Sequence, residues 1–374
     1  ETGGATVVLT GPNGAGKTNL LEAISFLAPG RGLRRARLAE VERRRPADGA
    51  ATPGPGWAVA AEIETPDGAH RIGTGRDPQR APAGPGGAAG VDAVERRVIR
   101  IDGEPAPTQT ALAELGQVVW LTPDMDRLFL DGATARRRFL DRLVYGFAPD
   151  HASRLSAYEK AMRERSRLLR DRRFDPTWLG ALEGAMAEHG VAVAAARREV
   201  LGQLAHACAM GITGFPVPAI AIEGTLEAAL DGGTALDVED GFRAGLAQAR
   251  ARDAEAGRAL AGPHRSDLVV HLREKDMPAA SCSTGEQKAL LVAIVLAAAR
   301  LRTVERGATP VLLFDEIAAH LDRDRRAALF DEIGALGAQA WMTGTDAALF
   351  AALDDRARFF DVAAGTITPH DIGE

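Results

Sequence analysis

Apolar positions along the chain switch between two periods, and the switches divide it into segments. Ala5–Thr10 (ATVVLT) is a short, continuous, β-branched run, as a buried strand should be. In Asn19–Leu27 (NLLEAISFL) apolar residues recur at helical spacing, and Gly30 is placed to end that helix. Trp57–Glu64 and parts of Arg96–Ile101 alternate with period two, which predicts a small antiparallel sheet. Between them Asp77–Gly90, rich in Pro, Gly and Ala, reads as an exposed loop of no fixed structure. Gln117–Thr122 is another buried strand. From about Phe139 to Ile212 the pattern is helical, punctuated by Pro149 and by Asp175-Pro176, where Asp175 is a natural helix cap. The two stretches flanking Asp175-Pro176 predict an antiparallel helical hairpin. Ala219–Glu223 and Leu268–Leu272 read as short strands, with Asp237–Leu260 helical between them. An apolar helix over Ala289–Leu301 and strands over Val311–Phe314 and Ala340–Thr343 follow, the last reading as the final strand.

Residues 11–18, GPNGAGKT, change this picture from architecture to chemistry. Gly11, Gly14, Gly16, Lys17 and Thr18 satisfy every fixed position of the phosphate-binding loop G-x-x-x-x-G-K-[ST], with a strand before it and a helix after it. Glycines let the backbone N–H groups of Gly11, Pro12-Asn13, Gly14, Ala15 and Gly16 curl round a phosphate, Pro12 itself contributing no N–H. Lys17 is placed to reach the β- and γ-phosphates of a nucleotide, and the Thr18 hydroxyl to ligate Mg²⁺. The apolar run Val311–Phe314 ends in Asp315-Glu316. This delivers two carboxylates to the C-terminal tip of a buried strand, where α/β sheets place ligands. Asp315 is expected to hold Mg²⁺, and Glu316 to orient and polarise the attacking water.

Composition adds bounds. At 374 residues the chain exceeds one ordinary core, so two domains or a large insertion are expected. A net charge of −6 does not advertise nucleic-acid binding, yet a local basic face can bind DNA on an acidic protein. Only four of 45 basic residues are lysines, a pattern of GC-rich coding that weakens arginine abundance as a signal. Cys208 and Cys282 build no disulfide framework, which suits a reducing cytosol. The longest apolar run, Ala289–Ala299, is too short to span a bilayer. The chain begins with Glu and reaches its loop almost at once, which predicts that a strand or hairpin precedes it.

Three basic clusters are candidates for DNA phosphate: Arg34, Arg35 and Arg37, with Arg43–Arg45 beyond; Arg136 and Arg137, in a run with Arg138; and Arg163–Arg173, with six arginines against two acids. A solvated face is the alternative for the first and third clusters, and a local ion-pair role for the second. Three successive arginines cannot all point into a core. A lone His264 reads as structural, and no Cys/His cluster suggests zinc.

Ser283-Thr284-Gly285-Glu286-Gln287 resembles the signature turn of ABC-type ATPases, although an ordinary helix cap explains it equally well. Asp322, six residues beyond Glu316, is similar to their D-loop acid. The His that such ATPases carry after the last strand is replaced by Thr343-Gly-Thr345, so Thr343 or Thr345 is expected to sense the γ-phosphate, with slow turnover. Across nearly its whole length the chain resembles the RecF family of bacterial recombination-mediator ATPases, related to the heads of SMC-type proteins. The residues that carry this are Gly11–Arg34, Pro123-Asp-Met-Asp with Arg136–Asp141, Gly262-Pro-His-Arg-Ser-Asp267, and Leu313–Asp322.

The resemblance implies an α/β fold: an ABC-type P-loop ATPase head with an inserted, mainly helical arm domain. The head halves fall at 1–138 and 261–374 and the arm at 139–260. It implies nucleotide contacts from Ser283, Thr284, Gly285, Gln287 and Asp322. It also implies a cytoplasmic, ATP-dependent DNA-binding protein with weak DNA-dependent ATPase activity. Such a protein acts on single-stranded and gapped duplex DNA with RecO and RecR, assisting RecA loading and the SOS response. One P-loop and one signature turn per chain predict that a complete site needs a second copy, hence an ATP-driven homodimer. The alternatives are another SMC-like repair ATPase head, whose long heptads are missing here, an ABC transporter subunit, and a DNA-binding scaffold that uses ATP only as a dimerising ligand.

Overall fold

The computed structural model describes residues 2–42, 56–76, 97–171 and 175–370. The Arg43–Arg45 cluster, the expected Asp77–Gly90 loop, and Arg96, Arg172 and Arg173 lie outside the described residues. The chain opens with β1 (Thr6–Thr10), α1 (Lys17–Ser25), β2 (Trp57–Thr65), β3 (Gly68–Arg76), β4 (Arg97–Ile101), β5 (Glu104–Pro105), α2 (Ala111–Leu115) and β6 (Val118–Leu121). Then come α3 (Ala133–Tyr145), α4 (His151–Arg170), α5 (Pro176–Ala209), β7 (Pro218–Glu223), α6 (Thr225–Gly232), α7 (Ala235–Gln248) and α8 (Arg250–Ala256). It continues with β8 (Asp267–Leu272), β9 (Met277–Pro278), α9 (Thr284–Arg306), β10 (Val311–Phe314), α10 (Arg323–Leu336), β11 (Ala340–Gly344), β12 (Ala357–Ala363) and β13 (Thr366–Pro369).

Two compact units result. The first comprises Glu1–Thr122, Gly307–Ala319 and Gly337–Glu374; the second comprises Pro123–Arg306 and His320–Leu336. In the first, six strands run in the order β13-β12-β1-β11-β10-β6. All neighbours are parallel except β13, which returns antiparallel beside β12. Every residue of β1 is buried, the reason its sequence is continuously apolar rather than alternating. This places β1 and β10, the strands feeding the glycine loop and the acid pair, in one sheet with β11 between them. The second sheet of this unit, β2-β3-β4-β5, is antiparallel. Arg97 on β4 binds the loop after α1. Its guanidinium donates to the carbonyls of Phe26, Ala28 and Gly30 and to Thr74 Oγ1, and burial lowers it to about 10.

Three sequence expectations are corrected here. The first helix spans Lys17–Ser25, not Asn19–Leu27, because the Phe26 and Leu27 N–H groups already close in tight three-residue turns on the Ala23 and Ile24 carbonyls. Strand β3 was not expected: three glycines in GAHRIGTGR hide its alternation. Ala340–Gly344 is not the final strand either. Strand β12 follows it and pairs with β1; there Arg358 is exposed and Phe359 and Phe360 lie only partly buried, so the strand carries no continuous apolar signal.

The second unit is built on α4 and α5. Arg165 Nε lies 3.0 Å from Glu183 Oε1, and a Cβ on Gly190 would come within 3.2 Å of the Tyr158 ring. These pairs run in opposite order, so the two helices are antiparallel, as the Asp175-Pro176 break predicts. Asp175 caps α5 through the N–H groups of Thr177 and Trp178. Tyr158, Met186, Val191, Phe242 and Leu246 fill the core between α4, α5 and α7. Arg165 departs from the solvated face expected of Arg163–Arg173. It is fully buried and donates to Glu183, to Asp253 (2.6 Å) and to the Leu246 carbonyl (2.7 Å).

The Gly262–Asp267 segment is knitted into this unit. Gly262 has φ +130°, and a Cβ there would overlap the Tyr158 hydroxyl. His264 Nδ1 lies 2.6 Å from that hydroxyl, consistent with a structural histidine. Arg197 donates to the Pro263 carbonyl (2.6 Å) and clasps Asp141 at 2.8 and 2.9 Å, with His151 Nε2 2.8 Å from the same carboxylate. Burial alone pushes the Asp141 carboxyl up, but His151 and Arg197 outweigh it and hold it below its ordinary value. A depressed acid contributes stability above its unfolded pKa and loses it as pH falls through the folded one. Wild type is therefore expected to lose stability steeply below about pH 4. Asp141→Asn should be less stable at neutral pH, with a flatter acid limb in urea unfolding; equal acid slopes contradict this.

Among the described residues no helix is long and apolar enough to cross a membrane, and no group of three or more His, Cys, Asp or Glu side chains could hold a metal. Cys208 and Cys282 are buried free thiols.

Candidate nucleotide site

The site is assembled wholly within the first unit. Gly11, Gly14 and Gly16 have φ of +148°, +79° and +108°, and a Cβ on Gly11 would overlap the Val362 carbonyl oxygen of β12. Pro12, Asn13 and Gly14 are exposed at the crest of the loop, and Ala15 is buried with its carbonyl accepting from Gly365 N (3.1 Å). The β12–β13 turn thus braces the loop from behind. Sequence reasoning missed that support; the Ala364-Gly365 turn after a partly apolar run was its only signal.

Lys17 is 5% exposed, and its Nζ donates to the Gly11 (2.6 Å) and Pro12 (3.0 Å) carbonyls. No carboxylate among the described residues pairs with it, so a buried cation faces into the loop without a counter-charge. The N–H groups of Gly16, Lys17 and Thr18 stand at the start of α1, where a helix leaves its donors unspent and carries partial positive charge. A phosphate group fits this donor set.

The Thr18 hydroxyl lies 3.0 and 3.1 Å from the two carboxylate oxygens of Asp315, which is itself buried. Neighbouring oxygen ligands on an octahedral Mg²⁺ stand about 2.9 Å apart. Thr18 and Asp315 therefore match Mg²⁺ in donor type and spacing. Glu316 follows at φ +54°, a left-handed backbone unusual for a side-chain-bearing residue and one that collects at functional sites. Its N–H donates to Thr343 Oγ1 (2.9 Å), and the Thr343 hydroxyl donates to Asp315 Oδ1 (2.7 Å).

This arrangement corrects the reading of Thr343 as a phosphate sensor. Its hydroxyl is fully buried and its one proton is committed to Asp315, so it brackets the two acids; Thr345 is exposed. Thr343→Val should leave the Glu316 N–H unpaired and Asp315 one donor short, costing about 1–3 kcal/mol. Urea unfolding checks this, and wild-type stability in the variant rules the bracket out.

The remaining predicted residues lie in the second unit. Ser283 and Glu286 form a reciprocal capping box at the start of α9: Ser283 N and Oγ donate to Glu286 Oε2 at 2.9 and 2.8 Å. Hydrogen bonds from Lys275 and Ser283 hold the Glu286 carboxyl down at about 2. Thr284 is exposed and Gly285 half-buried. Gln287 is turned inward instead: it is buried, and its Nε2 donates to the Cys282 carbonyl (2.9 Å), closing the turn. Asp322 is exposed and accepts from Arg325 N (2.8 Å), capping α10.

Of the arginines, Arg34 bridges Asn19 (2.8 Å) and Glu22 (3.3 Å) on α1, while Arg35 and Arg37 are exposed. Arg136 makes a two-pronged ion pair with Asp267 (2.8 and 2.7 Å), and Arg137 donates to the Ser266 carbonyl (2.7 Å) and to Thr134 (2.9 Å). Both tie α3 to the Gly262–Asp267 segment, the local role held open against DNA contact. Arg138 faces water.

A glycine loop between a central parallel strand and a helix, with a hydroxyl and a carboxylate meeting at the strand tips, defines a P-loop nucleotide-binding α/β protein. Comparison with known proteins narrows the class. A family model described as "AAA domain, putative AbiEii toxin, Type IV TA system" matches residues 7–49. The DNA replication and repair protein RecF of Rhizobium rhizogenes is 52% identical over 97% of this chain and 92% of its own length. That of Mesorhizobium japonicum is 53% identical over 97% and 91%. A solved structure described as the recombination mediator protein RecF-ATPrS in the RecFOR pathway shares the fold, with TM-score 0.79 at 19% identity over 98% of this chain and 92% of that one. The chain belongs to the RecF family of DNA replication and repair proteins.

Proposed function

We propose that this chain is an ATP-gated DNA-binding protein of recombinational repair and replication, whose ATP-bound form is a homodimer. The observation that carries the reading is the convergence of Lys17, Thr18 and Asp315 at the end of one parallel sheet. Solved relatives described as RecF-ATP and RecF-ATPrS support ATP as the ligand. In this reading Gly11–Thr18 bind the phosphates, and Thr18 and Asp315 hold Mg²⁺, which neutralises phosphate charge when bound. Glu316 orients and deprotonates the attacking water. Ser283, Thr284 and Gly285 of a second copy, with its Asp322, complete the site. Segments 1–138 and 261–374 serve as the head and 139–260 as the arm.

Hydrolysis is slow because Thr345-Asp346, not a His, directly follows β11, which makes ATP a clamp rather than a fuel. Arg34, Arg35 and Arg37, close in sequence to the nucleotide loop, meet DNA phosphate when two heads close, while Arg136 and Arg137 stay with Asp267 and the Ser266 carbonyl. The protein acts in the cytoplasm at single-strand gaps, with RecO and RecR, to assist RecA loading and the SOS response.

Glu316→Gln tests the chemistry. It keeps shape and removes the base, so ATP turnover should fall about 100-fold or more while ATP-dependent dimerisation persists. Wild-type turnover in this variant removes Glu316 from the mechanism.

A further inference from the structure

Strand β7 is the edge of the three-stranded sheet β7-β8-β9. Its backbone pairs with β8 along Pro218–Glu223, and among the described residues nothing hydrogen-bonds its other side. Such an edge is a template for another strand, and proteins usually blunt it with a lysine, a bulge or a mid-strand proline. Here Ala219, Ile220, Ala221 and Ile222 carry none of these, and Ala219 and Ala221 are exposed.

The open edge runs along a groove of about 470 Å³ between α5, β7 and α6. Gly202, Ala205 and Ala228 leave room there for an extended main chain. Three carboxylates line it, Glu223, Glu227 and Asp231, against one guanidinium, Arg198, which is already paired with Asp231 at 2.7 Å. Glu227 is 2% exposed; its Oε1 accepts from Ser266 and lies 3.9 Å from Arg197 Nη1, but its Oε2 has no hydrogen-bond partner among the described residues.

We propose that β7 is a docking strand for an extended, basic segment of another protein, which adds to the sheet as a fourth strand and places Lys or Arg side chains against Glu223, Glu227 and Asp231. Main-chain hydrogen bonds would supply affinity and the acidic groove would supply selection. A second copy of this chain is disfavoured as the occupant, because pairing two β7 edges would bring two acidic grooves together. The site lies in the second unit, uses no residue of the nucleotide site, and does not depend on ATP.

The test begins with selection of decapeptides from a random displayed library against the full-length protein. The selected peptides are then mapped by amide hydrogen exchange and titrated by fluorescence anisotropy. The expected result is enrichment of Lys and Arg in alternating sequences that protect amides within Ala219–Glu223. Binding should weaken at least tenfold in Glu223→Lys with Asp231→Lys, and also in Ala221→Pro, while ATP-dependent dimerisation is unchanged. The proposal is overturned if no selected peptide protects β7, if charge reversal leaves affinity unaltered, or if β7 becomes protected by self-association without peptide.

Discussion

Lys17→Ala is expected to lose ATP affinity by about 30- to 3,000-fold, the equivalent of about 2–5 kcal/mol for removing one partner of a buried charge pair. The size follows from where the ammonium sits. It is 5% exposed and, among the described residues, held only by the carbonyls of Gly11 and Pro12, so it is desolvated and oriented before nucleotide arrives. A phosphate then gains a charge-assisted bond in a site already arranged for it. Lys17→Arg should rescue poorly, because a planar fork cannot occupy the space of a compact ammonium beneath the loop. Equilibrium titration with a fluorescent ATP analogue reads both variants, with thermal melting to show that each is folded. Wild-type affinity in Lys17→Ala would falsify the assignment of residues 11–18 as the phosphate cradle.

Arg165→Ala is expected to be the most destabilising single change in the second unit, at about 3–5 kcal/mol. Arg165 sits among Glu183 on α5, Asp253 on α8 and the Leu246 carbonyl of α7, so one guanidinium gathers three helices around α4. Its removal strands two carboxylates that are 1% and 2% exposed, with Arg250 reaching only Glu183. The cost is that of uncompensated buried charge, not of a lost contact. Replacing all three charges together, as Arg165→Met with Glu183→Leu and Asp253→Leu, should therefore recover most of the loss. Urea unfolding of the single and triple variants distinguishes the two. Equal destabilisation in both would mean that packing, not charge, sets the effect.

The nucleotide site was legible because its chemistry is local. Glycines with positive φ, a lysine and a hydroxyl at fixed spacing need no tertiary context, and an apolar run ending in Asp315-Glu316 announces its own place at a strand tip. The parts that were not legible depend on partners distant in sequence. Thr343 reads as a hydroxyl near phosphate until the fold brings it 2.7 Å from Asp315. Gly365 supports the loop across 350 residues of chain. Arginines are the hardest case, since Arg165, Arg197 and Arg97 are buried while Arg35, Arg37 and Arg138 are exposed, and residue type alone does not separate them. In Ser283–Gln287 the structure shows the helix-cap reading, since Ser283 and Glu286 form a capping box, with Thr284 exposed beside it.

The central claim is that ATP held by Lys17, Thr18 and Asp315 closes two copies of this chain upon one another. Sedimentation velocity of the full chain with Mg²⁺ and either ATP or ADP tests it most directly. A monomer is expected with ADP and a dimer with ATP, the dimer abolished by Lys17→Ala and prolonged by Glu316→Gln. A sedimentation coefficient that is the same with both nucleotides contradicts it.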